Sequence, residues 1–494
     1  MVDADVLVVG GGPVGEVLLT MLDARGVSAI GFERDRDVWP KPRAVHFDGE
    51  TMRTFQSIGV GDALAEVSTP MRNYRMINQA GEVLLDFPTG FLGDQGWYDD
   101  VTFHQPDVDA LLRARLQQLE NVKLLTGVTV RSVSQTADGV TATVVDAGGA
   151  ERTYTGRYLV GADGASSFVR HQLGIGYDEL GPNDPWLVVD GVFREEPPQE
   201  HDMVFYGYHT RPRLWAALPG RRRRMEFKVL PGDDQNAIGS AEWVAAETGG
   251  LMRPDNFDID RTAVYTFRSC LAPRWREGRI FLAGDAAHLA PPLFGQGLCS
   301  GIRDAANLSW KLALVLDGAD EALLETYESE RIPHVRAWIE QATRMSGFVQ
   351  TTDAQIAAAR DQHIREHPED GVAAAPPLGP GFHVDAGRPS IQPLIDHGRF
   401  DDRVGKGFLV AAQRALVSTL PAAVLEKLNA AKHLQVLDES TPGVADLLTA
   451  SGAAIAVVRP DRYLYGTAQS AQDAEELLTP VIDLLSSATS SHAA

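Results

Sequence analysis

The stretch Gly10-x-Gly12-x-x-Gly15 constrains this chain most, because it stands between the apolar run Val6 to Val9 and the helix-like stretch Val14 to Ala24. Strand, glycine turn and helix in that order open a doubly wound α/β unit that binds a dinucleotide. Gly10 permits the turn, Gly12 lets the backbone approach a pyrophosphate, and Gly15 allows the helix to pack closely on the strand. The helix start, with Pro13 beside it, offers unpaired N–H groups to the anion. Gly26 stops the helix and Val27 to Phe32 reads as the next strand. Glu33 ends that strand, followed by Arg34, 18 residues after Gly15. There its carboxylate can accept hydrogen bonds from an adenosine ribose.

A second site identifies the dinucleotide. Gly284-Asp285 follows the apolar run Arg279 to Ala283, and a carboxylate at the C-terminal end of a parallel strand points into the crevice where such sheets bind ligands. Two sites so far apart along the chain suit one extended ligand. NAD needs no second anchor there, whereas FAD has a ribityl chain that does. The stretch from Pro291 through Pro292 and Gly295 to Gly297 then opens a helix at Leu298-Cys299. Small residues there leave backbone N–H groups facing a flavin ring edge, and helix-start amides stabilise the negative charge of reduced flavin.

The fold class implied is α/β, a Rossmann-like FAD-binding domain with an inserted antiparallel sheet. Residues 1–175 form its first part, with some of a substrate wall near 72–104. Residues 176–270, where short alternating segments replace the βαβ texture, form the inserted sheet. Residues 271–365 return to the first domain and carry a helical stretch over 298–347. A linker rich in Pro, Gly and Ala covers 366–395, and 396–494 alternates strands and helices as a small further α/β domain.

The net charge of −22 repels phosphate backbones and argues against nucleic acid as a partner. No apolar run reaches bilayer length, so no membrane partner is expected. The start has neither the basic segment nor the cleavage site of a secretory signal. Cys270 and Cys299 are the only cysteines, which excludes a disulfide framework and suits a reducing cytoplasm. His288 has no second ligand at helical spacing, so no metal is expected.

With these motifs in hand, the chain resembles the single-component FAD aromatic hydroxylases that include para-hydroxybenzoate hydroxylase. The resemblance covers about residues 5–350 and adds Gly161-Ala162-Asp163-Gly164, within a run reaching Arg170, to the two sites above. Within that family the chain is most similar to the 3-(3-hydroxyphenyl)propionate hydroxylase and phenol-type branch, through Pro42 to Asp48 and Gly295 to Asn307. The tail, at Gly407 to Leu409 and Ala456 to Asp461, is similar to that branch's thioredoxin-like domain. It has no Cys-x-x-Cys, so it is expected to be structural, at a possible homodimer contact.

The resemblance implies that Asp163 and Arg170 serve FAD and nicotinamide binding, and that Arg43 and Gln105 touch FAD. It also implies a chemistry: NADH or NADPH, as a transient co-substrate, reduces the flavin, which traps O2 as a C4a-hydroperoxide that hydroxylates a small phenolic ring. The protein positions the ring, excludes water and tunes charge. A base near the phenol hydroxyl raises ring electron density, and His46, whose ordinary pKa is about 6.5, suits that role. Asp48 is a second acid/base candidate or the cap of the following helix. Tyr206, His209, Trp215, Met225 and Phe227, on the inserted strands, are candidates for substrate contact or for core. Arg221 to Arg224 read as a solvated turn. Two alternatives keep the fold: hydroxylation or Baeyer–Villiger oxidation of a polycyclic polyketide, and a non-enzymatic flavin-binding protein.

Overall fold

The computed structural model describes residues 2–197, 202–234, 236–371, 374–385, 387–396 and 398–489. Five strands pair in parallel in the order Ile280–Leu282, Tyr158–Gly161, Val6–Val9, Ala29–Glu33, Val122–Thr126, and Arg276–Glu277 adds an antiparallel edge. The helix Pro13–Asp23 packs on this sheet and on the helix Gln296–Leu316. On the second strand, Phe32 meets Tyr154 of a three-stranded antiparallel sheet (Val128–Gln135, Val140–Asp146, Glu151–Gly156), with ring centroids 5.2 Å apart. A parallel sheet covered in this way needs apolar side chains in both directions, which is why Val6, Leu7 and Val8 are all fully buried.

The helical stretch expected over 298–347 is two helices, Gln296–Leu316 and Glu325–Val349. Gly318, at φ +110°, turns the chain between them. Gly301 explains how closely the first of these helices lies to the nucleotide-binding turn. A Cβ there would come within 2.7 Å of Val14 Cγ2 and 3.1 Å of Gly284 Cα.

The inserted sheet has seven strands, ordered Phe257–Phe267, Asp184–Phe193, Arg222–Lys228, Arg213–Ala217, Met203–Gly207, Asn73–Asn78, Val83–Pro88. All pairs are antiparallel except Met203–Gly207 with Asn73–Asn78. Side chains alternate across it with period two. One face buries Val189, Trp215, Met225, Phe227 and Phe257 in a separate core with Val244 of the helix Ala241–Glu247. The other face, with Val188, Leu214, Arg224 and Glu226, fronts the large cavity described below.

At the C-terminal end, Phe408–Ala412 pairs in parallel with Leu434–Asp438 and antiparallel with Ile455–Val458, whose other neighbour is Leu464–Ala468. This unit is joined to the rest by buried ionic contacts: Glu330 lies 2.7 Å from Lys311 Nζ and 2.9 Å from Arg459 Nη2. The segment expected as a linker packs against the first domain. Ser390 is buried and its carbonyl accepts a 2.5 Å bond from Arg53 Nη1. Among the described residues no helix is long and apolar enough to cross a membrane.

Candidate active site

Three segments distant in sequence converge at the C-terminal edge of the parallel sheet and line one cavity of about 1070 Å³, shared with the inserted sheet. The nucleotide turn supplies the first wall. Gly10, at φ +106°, approaches the second motif so closely that a Cβ would stand 2.3 Å from the Ala162 carbonyl oxygen. A Cβ on Gly15 would stand 2.0 Å from the Gly10 oxygen, whereas one on Gly12 would meet nothing within 4 Å. Gly10 and Gly15 are therefore glycines for packing, and Gly12 keeps the backbone open to the cavity at the helix start.

Glu33 Oε2 accepts a 2.7 Å bond from the Gly11 N–H, and Oε1 accepts one of 2.8 Å from Asp35 N–H. Arg34 is exposed at the cavity rim. Arg113, which carried no motif, also lines the cavity beside the turn and holds the buried Glu16 carboxylate at 2.6 Å. Burial nevertheless pushes the Glu16 carboxyl up to about 8 against the pull of Arg113.

The second wall is Ala162 to Ser166. Asp163 lines the cavity, but its carboxylate also accepts from Ser167 Oγ at 2.5 Å and Val169 N–H at 3.1 Å, capping the short helix Phe168–Gln172. Arg170 is buried outside the cavity lining and donates to the Ala165 and Ala286 carbonyls at 3.1 and 3.0 Å. It ties the second segment to the third, so its place is that of a strut rather than the ligand contact expected of it.

The third wall is Ala283 to Leu298. The Asp285 side chain faces the cavity with no hydrogen-bond partner among the described residues. Although the residue is open to the cavity, desolvation by the surrounding walls raises its pKa, with His288 and Arg43 opposing. Pro292, Gly295, Gly297 and Leu298 line the cavity, and Gly297 has open space where a Cβ would be. Cys299 is fully buried behind them, its Sγ 3.6 Å from the Gly295 carbonyl.

Arg43 lines the cavity from the loop after the second strand. Gln105 pins that loop, its Oε1 accepting from Arg43 N–H at 3.0 Å and Ala44 N–H at 2.8 Å. The inserted sheet holds the same loop from the other side. Arg224 Nη1 donates to the Arg43 carbonyl at 2.7 Å, and Arg224 Nε pairs with Asp190 at 2.7 Å. Arg221 stands exposed in the turn, but Arg222 to Arg224 lie on the strand and Arg223 and Arg224 are buried, so most of the arginine run is strand rather than the solvated turn its charge suggested.

His46 lines the cavity while buried, its Nε2 2.5 Å from Asp100 Oδ1 and its Nδ1 without a partner. Burial alone would lower the imidazole pKa, but the Asp100 bond and charge outweigh it and raise it well above 6.5. Asp48 lies outside the lining. Its carboxylate caps the helix Gly49–Ser57 through Thr51 N–H at 2.8 Å and pairs with Arg303. Although burial opposes it, Arg303 and the Thr51 bonds hold that carboxyl down at about 2. Asp48 is thus the helix cap, not a second acid/base group.

The aromatic and Met candidates on the inserted strands fall on the wrong side. Trp215, Met225 and Phe227 belong to the core of the far face, Tyr206 packs against that core, and His209 lies beyond its strand, outside the lining. Their neighbours one position away, Leu214, Arg224 and Glu226, take the cavity side.

The arrangement fits FAD: a backbone opening at Gly12, an unpartnered carboxylate at Asp285 and a helix start at Gly297 stand around one elongated space. A family model described as "FAD binding domain" matches residues 3–342. The chain belongs to the FAD-binding-domain family. This flavoprotein is 33% identical over 97% of its length, and 95% of the relative's, to a probable NADH-specific resorcinol 4-hydroxylase of Rhodococcus jostii (strain RHA1). It is 32% identical to a 3-(3-hydroxy-phenyl)propionate/3-hydroxycinnamic acid hydroxylase of Mycolicibacterium smegmatis (strain ATCC 700084 / mc(2)155), over 97% of the chain and 93% of the relative. Among solved structures, the flavin-dependent monooxygenase PieE in complex with FAD and substrate superposes with TM-score 0.82, at 22% identity over 97% of this chain and 99% of that one. At that identity the likeness is one of fold.

Proposed function

We propose that this flavoprotein hydroxylates a small phenolic ring with a reduced nicotinamide and O2. The convergence of three segments and the inserted sheet on one cavity carries the reading, because it sets a place for a flavin beside a place for a ring. When bound, FAD accepts the nicotinamide hydride and activates oxygen for transfer to the ring. The chain's own residues bind and orient. Gly12 and the helix start at Pro13 receive the pyrophosphate, Glu33 the adenosine ribose, Asp285 the ribityl hydroxyls, and the Gly295–Leu298 turn the ring edge.

His46 takes the phenol proton as the base of the His46–Asp100 pair, both members of which line the cavity. A phenol, ordinarily near 10, gives its proton more readily to an imidazole raised by a carboxylate than to an ordinary one. Val188, Met203, Leu214 and Phe267 exclude water around the ring. The two relatives above are named for phenolic rings, and one for NADH.

From Phe408 on, the tail's order β-α-α-β-α-β-β-α, its first strand parallel to the second and antiparallel to the third, supports a thioredoxin-like unit. Both thiols are free and buried, which suits a reducing cytoplasm. Oxygen uptake and NAD(P)H oxidation by the FAD-loaded protein, each stimulated by simple phenols and matched by a hydroxylated product, test the reading. Stimulation by none of them overturns it.

A further inference from the structure

The ring-facing side of the inserted sheet carries charged side chains in successive rows. Arg224, Asp190 and Arg261 stand opposite one another across three strands. Both arginines are spent on the loop beside the flavin place: Arg224 donates to the Arg43 and Pro42 carbonyls, Arg261 to the Pro42 carbonyl, and Asp190 compensates their charge. Glu226 stands in the next row, opposite Val188 on one neighbour strand and Leu214 on the other. It is 5% exposed, lines the cavity, and has its nearest cation, Arg224 Nη1, at 3.7 Å, beyond hydrogen-bond reach. Val188 and Leu214 thus flank a carboxyl group that has no hydrogen-bond partner among the described residues. Burial outweighs the opposing Arg224 charge and raises its pKa to about 7.

A buried carboxyl in an apolar wall costs stability unless something pairs with it, and its chemistry selects the partner. It accepts from a hydroxyl, and it repels a second carboxylate. We infer that Glu226 anchors the substrate through a second ring hydroxyl, so that the ring taken is an uncharged dihydroxybenzene rather than one bearing a carboxylate chain. This rests on the phenol-hydroxylase reading and narrows its substrate class. His46 and Asp100 meet one hydroxyl and Glu226 the other, which fixes the ring in its plane by two polar points. Arg261 Nη2 is the competing feature: it is buried without a partner beside the same cavity and would favour a carboxylate.

The test compares resorcinol, phenol and 3-hydroxyphenylpropionate as effectors of NADH oxidation and as ligands, with wild-type protein, Glu226→Gln and Glu226→Leu, all checked for bound FAD. The wild type is expected to bind resorcinol at least tenfold more tightly than phenol, the gain typical of a hydrogen bond to a charged group, and more tightly than the propionate. Glu226→Leu brings resorcinol to the level of phenol, raising KM for resorcinol while leaving that for phenol near its original value. Glu226→Gln, which keeps the shape and an acceptor oxygen, recovers part of the difference and serves if the leucine variant fails to retain flavin. A wild type that prefers the propionate overturns the inference and transfers recognition to Arg261. An unchanged resorcinol-to-phenol ratio in both variants also overturns it. A wild type stimulated by none of the three rings overturns the hydroxylase reading itself, and the inference with it.

Discussion

His46 Nε2 and Asp100 Oδ1 stand 2.5 Å apart although 54 positions separate them in the chain. The antiparallel pairing of His46–Asp48 with Asp100–Phe103 brings them together. The carboxylate fixes which ring nitrogen is committed and raises the pKa of the imidazole well above 6.5. As a base, His46 must be neutral, so activity grows as pH rises through that elevated value. The acidic limb of the pH–rate profile is therefore expected above pH 6.5, and Asp100→Asn moves it downward. His46→Ala is expected to lower hydroxylation by about 10²–10⁴, the usual worth of a positioned base, with FAD content unchanged. Equal rates of mutant and wild type across pH would remove His46 from the reaction.

Gly295 is the position where the flavin-side loop touches that pair. At φ +63° it leaves no room for a side chain, since a Cβ would stand 2.3 Å from His46 Nδ1. Gly295→Ala is expected to carry the backbone cost of the left-handed region, about 1–2 kcal/mol, and to displace the imidazole. NADH oxidation then continues with less hydroxylated product per NADH, a ratio read directly from product yield.

Asp285 is expected to matter for cofactor retention rather than for folding, because among the described residues no protein group depends on its carboxylate for a hydrogen bond. Asp285→Ala loses about 10-fold or more in FAD affinity, the scale of a charge-assisted hydrogen bond. Thermal stability of the flavin-free protein stays within about 0.5 kcal/mol of wild type. Unchanged flavin content would argue against the ribityl role.

Asp48 gives a stability prediction with a sign. Its carboxyl sits at about 2 in the folded chain against 3.8 ordinarily. A depressed folded value means the contribution is complete above the ordinary value and is lost as pH falls through the folded one. With each unit worth about 1.4 kcal/mol, Asp48→Asn is expected to cost about 2 kcal/mol at neutral pH. The gap to wild type then closes between about pH 4 and pH 2, as followed by urea unfolding. A gap independent of pH would contradict the ion pair with Arg303.

The lining of the cavity was legible in the sequence wherever a motif lies within one local unit. Gly10, Gly12 and Gly15 act on their own turn, and Asp285 on the end of its own strand, so spacing alone locates them. The substrate side was not, for a reason of parity. Alternation on the inserted strands shows that Trp215 and Leu214, or Met225 and Glu226, point opposite ways, but not which face meets the cavity, and large apolar residues were the wrong choice. Asp100 and Arg113 reach the site through contacts 54 and 97 residues distant, and carry no motif. Arg224 read as a surface charge because its partner Asp190 is 34 residues away on another strand.

Titration of the flavin-depleted protein with FAD, followed by fluorescence, tests the central claim most directly. One FAD per chain is predicted, with Gly12→Val, Asp285→Ala and Gly297→Val each weakening that same single site, since the three segments surround one molecule. Binding at no site, or a site that variants in two of the three segments leave untouched, would contradict it.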